Sequence, residues 1–177
     1  RKCNNRLNQQ FNPSAPNQVW VGDVTYFRFN NKNYHICAVM DLYARTIIAY
    51  RISFKNSTQL VKSTFRQAYE TRQPTQNLIF HSDRGTNYRS YSFCSYLKSL
   101  HVEQSFSRTH TPYDNSVIES FFSSMKREEL YRTNYRSEYE LRKAIDDYVT
   151  FYNTKRPHSK NQNKTPMAKE QEYYSET

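Results

Sequence analysis

Apolar residues along this chain first gather at Val19, after a stretch rich in Asn, Gln and Pro with almost nothing to bury, which reads as a linker or arm over residues 1–18. VWVGDVTYFRF, NYHICAVM and RTIIAYRIS then follow at strand length, separated by the turn-like NNKN and by DLYA, and predict three consecutive antiparallel strands. Beyond them the period changes. Leu60, Val61, Thr64, Phe65, Ala68 and Tyr69 recur at helical spacing behind Asn56 and Ser57, either of which can cap a helix of about four turns. NLIFHSD, after Pro74, has the length of a buried strand whose end releases the loop DRGTNY. Residues 90–100 predict a second helix, HVEQSF a short fifth strand and, past the Pro-containing loop RTHTPYDN, residues 116–131 a third helix. Ser137 and Glu140 form a capping box that opens a last helix with Leu141, Ile145, Tyr148, Val149 and Tyr152 on one face; after Asn153 the pattern gives loop. This order predicts an α/β fold, a mixed five-stranded sheet of three antiparallel strands then two parallel ones, flanked by helices on both faces.

A length of 177 residues suits one such domain, taken here as 19–170 with a short tail at 171–177. The net charge of +10 favours a polyanionic partner, and nucleic acid is the commonest for a basic chain. The excess is uneven: residues 1–100 hold 14 Lys and Arg against four acids, whereas residues 101–177 hold 12 of each. Any carboxylate in that positive first part therefore needs a reason. No apolar run approaches the roughly 20 residues of a membrane helix, and RKCNNRLNQQ lacks the apolar segment of a signal peptide, so a soluble intracellular protein is expected. Cys3, Cys37 and Cys94 are far apart, odd in number and without a CxxC pair, which reads as free thiols. With no Met at position 1, the chain reads as part of a longer protein with further domains upstream.

The four acids of the basic part are Asp23, Asp41, Glu70 and Asp83. Asp23 lies inside a run that otherwise wants burial, where an ionised carboxylate is costly unless paired or bound to a cation. Asp83 follows NLIFHS directly, with Gly85 to turn the chain, and strand C-terminal ends are where open α/β sheets keep their chemistry. Glu119 sits on a helix whose apolar stripe is Ile118, Phe121, Phe122 and Met125, while Asn115, Glu119, Ser123 and Lys126 share a polar face. Three carboxylates without a His or Cys cluster favour a hard cation with oxygen ligands, hence Mg2+ or Mn2+ held by Asp23, Asp83 and Glu119. Two such ions suit phosphodiester chemistry, one at the attacking oxygen and one at the leaving oxygen.

The 35 residues between Asp83 and Glu119 carry little weight in a chain with six Asp and ten Glu; the surrounding motifs carry more. WVGDVTYF around Asp23, HSDRGTNY around Asp83, TPYDNSVIESFFSSMKRE around Glu119 and YNTKRPH near the end together resemble the bacterial insertion-sequence transposases of the retroviral-integrase superfamily. The resemblance covers about residues 18–170 and is to the product of the second of two overlapping reading frames. It implies a ribonuclease-H-like fold and an acidic triad at Asp23, Asp83 and Glu119. It further implies strand cleavage at the element's ends, attack of the freed 3′ hydroxyl on target DNA, and a homo-oligomer of at least two cores in the bacterial cytoplasm, at the nucleoid. Lys126 matches a basic position that in this family looks like a DNA contact. No helix-turn-helix or coiled-coil segment precedes the core, which leaves recognition of the element's ends unaccounted for.

Plainer roles compete with several of these. Asp41 ends a strand too, but it opens the tight DLYAR connection, where Asp commonly bonds its own backbone and can meet Arg45. His81, two residues before Asp83, suits either a donor behind the metal ligands or a packed core histidine. Asp114 and Asn115 precede the Glu119 helix, where at least one should cap, and Asn115 also suits the site. Arg84, Arg89, Arg108, Lys126 and Arg127 suit phosphate contacts or solvated surface; of these Lys126 is favoured, with Arg84 and Arg127 next. The 16 Tyr and 11 Phe suit base stacking or core. Arg156 and His158 carry the resemblance without a derivable mechanism. A nuclease of the same fold that does not join strands, or a non-catalytic DNA-binding remnant, would share much of this pattern.

Overall fold

A computed structural model describes residues 12–75, 77–107 and 115–177. β1 (Val19–Phe29), β2 (Lys32–Asp41) and β3 (Thr46–Ser53) form an antiparallel meander, and β4 (Ile79–Ser82) and β5 (Glu103–Phe106) add in parallel to give a five-stranded sheet of order β3-β2-β1-β4-β5. The β1–β2 hairpin turns on Asn30 and Asn31, both at positive φ, the backbone that a two-residue turn matched to strand twist requires and that Asn tolerates. Helices α1 (Thr58–Arg72), α2 (Thr86–Arg89), α3 (Tyr91–Ser99), α4 (Ser116–Met125), α5 (Glu138–Thr154) and α6 (Pro166–Glu176) complete the fold, with a π turn at Lys126–Leu130 directly after α4. Ser57 caps α1, Ser90 caps α3 and Ser137 caps α5, each accepting the amide three residues on.

Strand alternation sorts the core into two layers. On one face Val19, Val21, Ile36, Ala38, Met40 and Ile47 meet Ile118, Phe121, Phe122 and Met125 of α4, and Leu141, Ile145, Tyr148 and Tyr152 of α5. On the other, Trp20, Cys37, Val39 and Ala49 meet Leu60, Val61, Phe65 and Ala68 of α1, and Phe93 and Leu97 of α3. Phe65 is the hub there, with Trp20, Phe80, Phe93, Tyr69 and Tyr96 rings around it. Burying such a side chain stabilises by roughly 1.5–3 kcal/mol.

Three local expectations change. Where the pattern after Asn153 gave loop, residues Pro166–Glu176 are helical and run across the anticipated boundary at residue 170. Thr165 caps this helix and Pro166 occupies its first turn, yet only Pro166 and Glu170 are buried, so α6 has no apolar stripe to announce it. It is held by polar contacts: Glu170 takes the Thr46 hydroxyl at 2.8 Å and Arg72 at 2.9 Å, and Lys169 donates to the Tyr43 carbonyl at 2.6 Å. The DRGTNY segment contains the short helix α2 rather than loop alone. Finally, the described part of the arm has something to bury. Ala15 and Pro16 are covered, and Asn17 donates its amide to Asp41. Residues 1–11, with Cys3, lie outside the described residues. No described helix is long and apolar enough to cross a membrane.

Gly22 shows how tightly the layer behind the site is packed. A Cβ there would lie 2.5 Å from Phe80 Cζ, and the Phe80 ring is hemmed in by Phe65, Phe93 and Tyr88. Gly22→Ala should therefore cost about 1–3 kcal/mol by overpacking. Urea denaturation should show an earlier midpoint at unchanged slope; an unshifted midpoint would mean that the ring yields freely.

Candidate active site

Residues Val19–Val21 of β1 pair in parallel with Ile79–His81 of β4, Val21 opposite His81. Two residues further along each strand come Asp23 and Asp83, level with one another and of the same parity as Val21 and His81. The Val21 side faces α4, whose apolar stripe seats it on the sheet and leaves Glu119 exposed beside it. β1, the end of β4 and α4 thus bring the three predicted acids to one end of the sheet.

Their electrostatics agree with that placement. Asp23 is half-buried, and its carboxyl is pushed up to about 7, chiefly by burial; the Val24 amide, bonded to Oδ1 at 2.8 Å, opposes this, while Asp83 and Glu119 add to it. The Glu119 carboxyl is likewise raised, by desolvation first and by Asp83 second. Each acid therefore feels at least one other. Asp83 itself is exposed and turns Oδ1 to the Gly85 amide at 2.8 Å.

An open cleft of about 530 Å3 lies along the free edge of β1. Asp23, Val24 and Thr25 form one wall; Glu119, Phe122, Ser123, Lys126, Arg127 and Tyr131 form the other. Asp83 is not among its lining residues. Lys126 holds its Nζ 5.5 Å from the Tyr26 ring centroid and lines the same cleft as Asp23 and Glu119, although partial burial pushes its pKa down. Hydropathy placed Ser123 on the polar face but gave no sign of Thr25 or Tyr131, which reach the cleft through strand register and the π turn, or of Tyr26, whose ring backs Lys126.

The remaining candidates sit elsewhere. His81 is fully buried between β5 partners, Nδ1 to Ser105 Oγ at 2.9 Å and Nε2 to Ser107 Oγ at 3.2 Å. Arg84 donates from Nε to the Ser107 carbonyl at 2.8 Å. Asn115 occupies the N-cap position of α4 without a side-chain cap bond, and its buried Oδ1 has no hydrogen-bond partner among the described residues. Arg89 ends α2 at the surface. Arg108 and Asp114 lie outside the described residues. Asp41 is wholly buried, one oxygen accepting the Asn17 amide at 2.7 Å and the other the Tyr43 amide at 2.9 Å. Burial pushes it up to about 6, and the cation that opposes this is Arg72.

Burial and neighbouring acids raise the Asp23 and Glu119 carboxyls, and a hard divalent cation with oxygen ligands would relieve both effects. Among the described residues, however, no three His, Cys, Asp or Glu side chains are grouped closely enough to hold a metal ion, and Asp83 accepts the Gly85 amide.

The chain matches the integrase core domain family over residues 13–112, and a second integrase core domain model over residues 100–166. The transposase for insertion sequence element IS904 of Lactococcus lactis subsp. lactis (strain IL1403) is 36% identical over 163 residues, 92% of this chain and 64% of that protein. Transposase InsF for insertion sequence IS3A of Escherichia coli (strain K12) is 35% identical over 156 residues, 88% of this chain and 54% of the relative. The chain thus spans less than two thirds of these transposases. Among solved structures, the HTLV-2 integrase catalytic core domain in complex with magnesium (trimeric form) aligns with TM-score 0.69 at 20% identity, over 88% of this chain and 97% of that one. The catalytic domain of Mos1 mariner transposase aligns with TM-score 0.63 at 18% identity, over 76% of this chain and 70% of that one. The fold is that of the ribonuclease-H-like integrase and transposase cores.

A pH prediction follows from Asp23. Its folded pKa, about 7, lies above the ordinary 3.8, so the folded state binds the proton more tightly and this contribution to stability is lost as pH rises from about 4 through 7. In the absence of divalent cations, wild type should lose more thermal stability between pH 5 and 8 than Asp23→Asn, and the variant should melt higher at pH 8. Asp41 titrates in the same window in both proteins, so the difference between the two curves is the reading; parallel curves would contradict it.

Proposed function

This chain belongs to the integrase core domain family, and on that premise we propose that it is the catalytic core of a DNA transposase, which cleaves the ends of its element and joins the freed 3′ hydroxyl to target DNA. The observation that carries the reading is the pair of carboxyls, Asp23 and Glu119, raised by burial and by neighbouring acids in one cleft with Lys126 and Arg127, with Asp83 acting on both. A partly buried concentration of carboxylates is costly unless cations complete it.

In this mechanism Asp23, Asp83 and Glu119 hold two Mg2+ or Mn2+ ions. When bound, these neutralise the charge that builds on a phosphodiester during in-line displacement. The protein's own groups orient the substrate. Lys126, backed by the Tyr26 ring, and Arg127 bind phosphate oxygens of the DNA across the cleft from β1. Arg84 extends that contact from the Asp83 loop. Phe122 and Tyr131 wall the site and restrict water. His81, fixed by two serines, keeps the end of β4 in place behind Asp83, and Asn115 begins the helix that carries Glu119. Joining two element ends takes more than one active site, so the working form is at least a dimer on DNA, acting in the bacterial cytoplasm at the nucleoid.

The test uses labelled DNA ends flanking the chain's own gene, with Mg2+ or Mn2+. Wild type should give nicked and then joined products. Asp23→Asn, Asp83→Asn and Glu119→Gln should each lower both by at least about 10³-fold, and double variants should be scarcely worse than singles, because the three act as one unit. Asp41→Asn should keep activity while losing about 1–3 kcal/mol of stability, since an amide offers one acceptor where two backbone amides need one each. Cleavage without joining would indicate a nuclease of the same fold. Full activity in the triad variants would end the proposal.

A further inference from the structure

The π turn after α4 has a cause in packing. Met125 and Leu130 are both buried in the same core layer, yet in an uninterrupted α-helix five residues would set them roughly 140° apart. A turn closed five residues on, as the Tyr131 amide closes on the Lys126 carbonyl at 2.8 Å, brings position 130 back over 125. Lys126 and Arg127, the first two residues of that turn, line the cleft. A π turn is a wide and rarely used geometry, so its orientation depends on what holds it from outside.

What holds it is Glu128. Its Oε1 accepts Arg156 Nη2 at 2.7 Å, its Oε2 accepts Arg156 Nε at 3.0 Å, and the Tyr148 hydroxyl donates to Oε2 at 2.9 Å. This forked pair keeps only 25% of the Arg156 and 29% of the Glu128 side chain exposed. Arg156 is itself anchored, its amide on the Phe151 carbonyl at 2.8 Å and its guanidinium 5.9 Å from the Tyr152 ring centroid. The segment that follows continues the strap: the His158 ring meets the Tyr152 ring at 4.5 Å, and Asn161 Nδ2 donates to the Ala44 carbonyl at 2.8 Å, in the β2–β3 turn. The RPH motif near the C-terminus is thereby tied at one end to the π turn and at the other to the sheet.

We propose that Arg156 and Glu128 are positioning residues, whose ion pair, closed by the Tyr148 hydroxyl, holds the π turn so that Lys126 and Arg127 face DNA phosphates in the cleft. The proposal rests on the reading that Lys126 contacts DNA. Neither member of the pair needs to touch the nucleic acid. Arg156 has spent its fork on Glu128, and Glu128 carries the wrong charge.

That last point makes the test sharp. Bare electrostatics requires Glu128→Gln to tighten DNA binding, because it removes a negative charge beside the cleft, whereas loss of positioning weakens it. Affinity for a fluorescent duplex in Mg2+ should be measured over a salt series for wild type, Lys126→Ala, Glu128→Gln, Arg156→Lys and the double variant Lys126→Ala/Arg156→Lys. Arg156→Lys keeps the charge but loses the fork, and Glu128→Gln keeps the shape, so the two variants check one another if either folds poorly. Removing one phosphate contact should reduce the log-log salt slope by about 0.9. Lys126→Ala should lose about that much, Glu128→Gln and Arg156→Lys about twice it because Arg127 is released together with Lys126, the double variant no more than Arg156→Lys alone, and the Tyr131 amide should exchange faster with solvent deuterium in both pair variants. Tighter binding by Glu128→Gln, or a double variant that loses a further contact's worth of slope beyond Arg156→Lys alone, would overturn the positioning role. A normal slope in both pair variants with a reduced one in Lys126→Ala would overturn it while sparing the Lys126 contact. A normal slope in Lys126→Ala would refute that contact and the positioning role together.

Discussion

The parallel register between β1 and β4 is the constraint on which the rest depends. Only three residue pairs are involved, yet Val21 opposite His81 puts Asp23 and Asp83 at one level, and strand alternation turns both toward the α4 side. A slip of one residue would send Asp23 to the opposite face, against α1 and the Phe65 cluster. That slip is prevented from the other side of β1, where ten consecutive pairs with β2, from Trp20 with Asp41 to Phe29 with Lys32, end in a two-Asn turn. The long hairpin fixes the strand, and the short parallel contact uses the fixed strand to set the site.

Charge follows the same geometry. Burial and neighbouring acids push Asp23 and Glu119 toward protonation, and α4 and its π turn bring Lys126 and Arg127 to the same cleft. Asp41, one strand away, shows the contrast. Its two oxygens are each satisfied by a backbone amide, so it closes a turn and has no oxygen left over for a metal. The C-terminal third serves the site at a distance: α5 presents Tyr148, the following strap presents Arg156, and α6 clasps β3 and α1 through Glu170.

Much of this was readable along the chain, for physical reasons. β1 to β3 show because alternating β-branched and aromatic residues are what a half-buried sheet needs, and α1, α3 and α5 show because a serine cap precedes an apolar stripe. Asp23, Asp83 and Glu119 stood out through the motifs around them, and the two aspartates also through the scarcity of acids in residues 1–100; spacing contributed little. α6 was illegible because polar contacts to Thr46, Arg72 and Tyr43 hold it in place of an apolar face. The π turn was hidden because KREEL consists of good α-helix formers, and only the joint burial of Met125 and Leu130 shows that an ordinary helix would fail there. The partnership of Glu128 with Arg156 joins residues far apart in sequence, which no local period can reveal. The turn of Asp83 toward Gly85 is likewise a detail of loop geometry.

The central claim is that three carboxylates from β1, the end of β4 and α4 form one cation site. Crystals of the protein soaked in Mn2+ and measured at the manganese absorption edge test it most directly. The account predicts anomalous density in inner-sphere contact with Asp23, Asp83 and Glu119 together, lost in Asp23→Asn. Density that never touches Asp83, or that persists unchanged in Asp23→Asn, would contradict it.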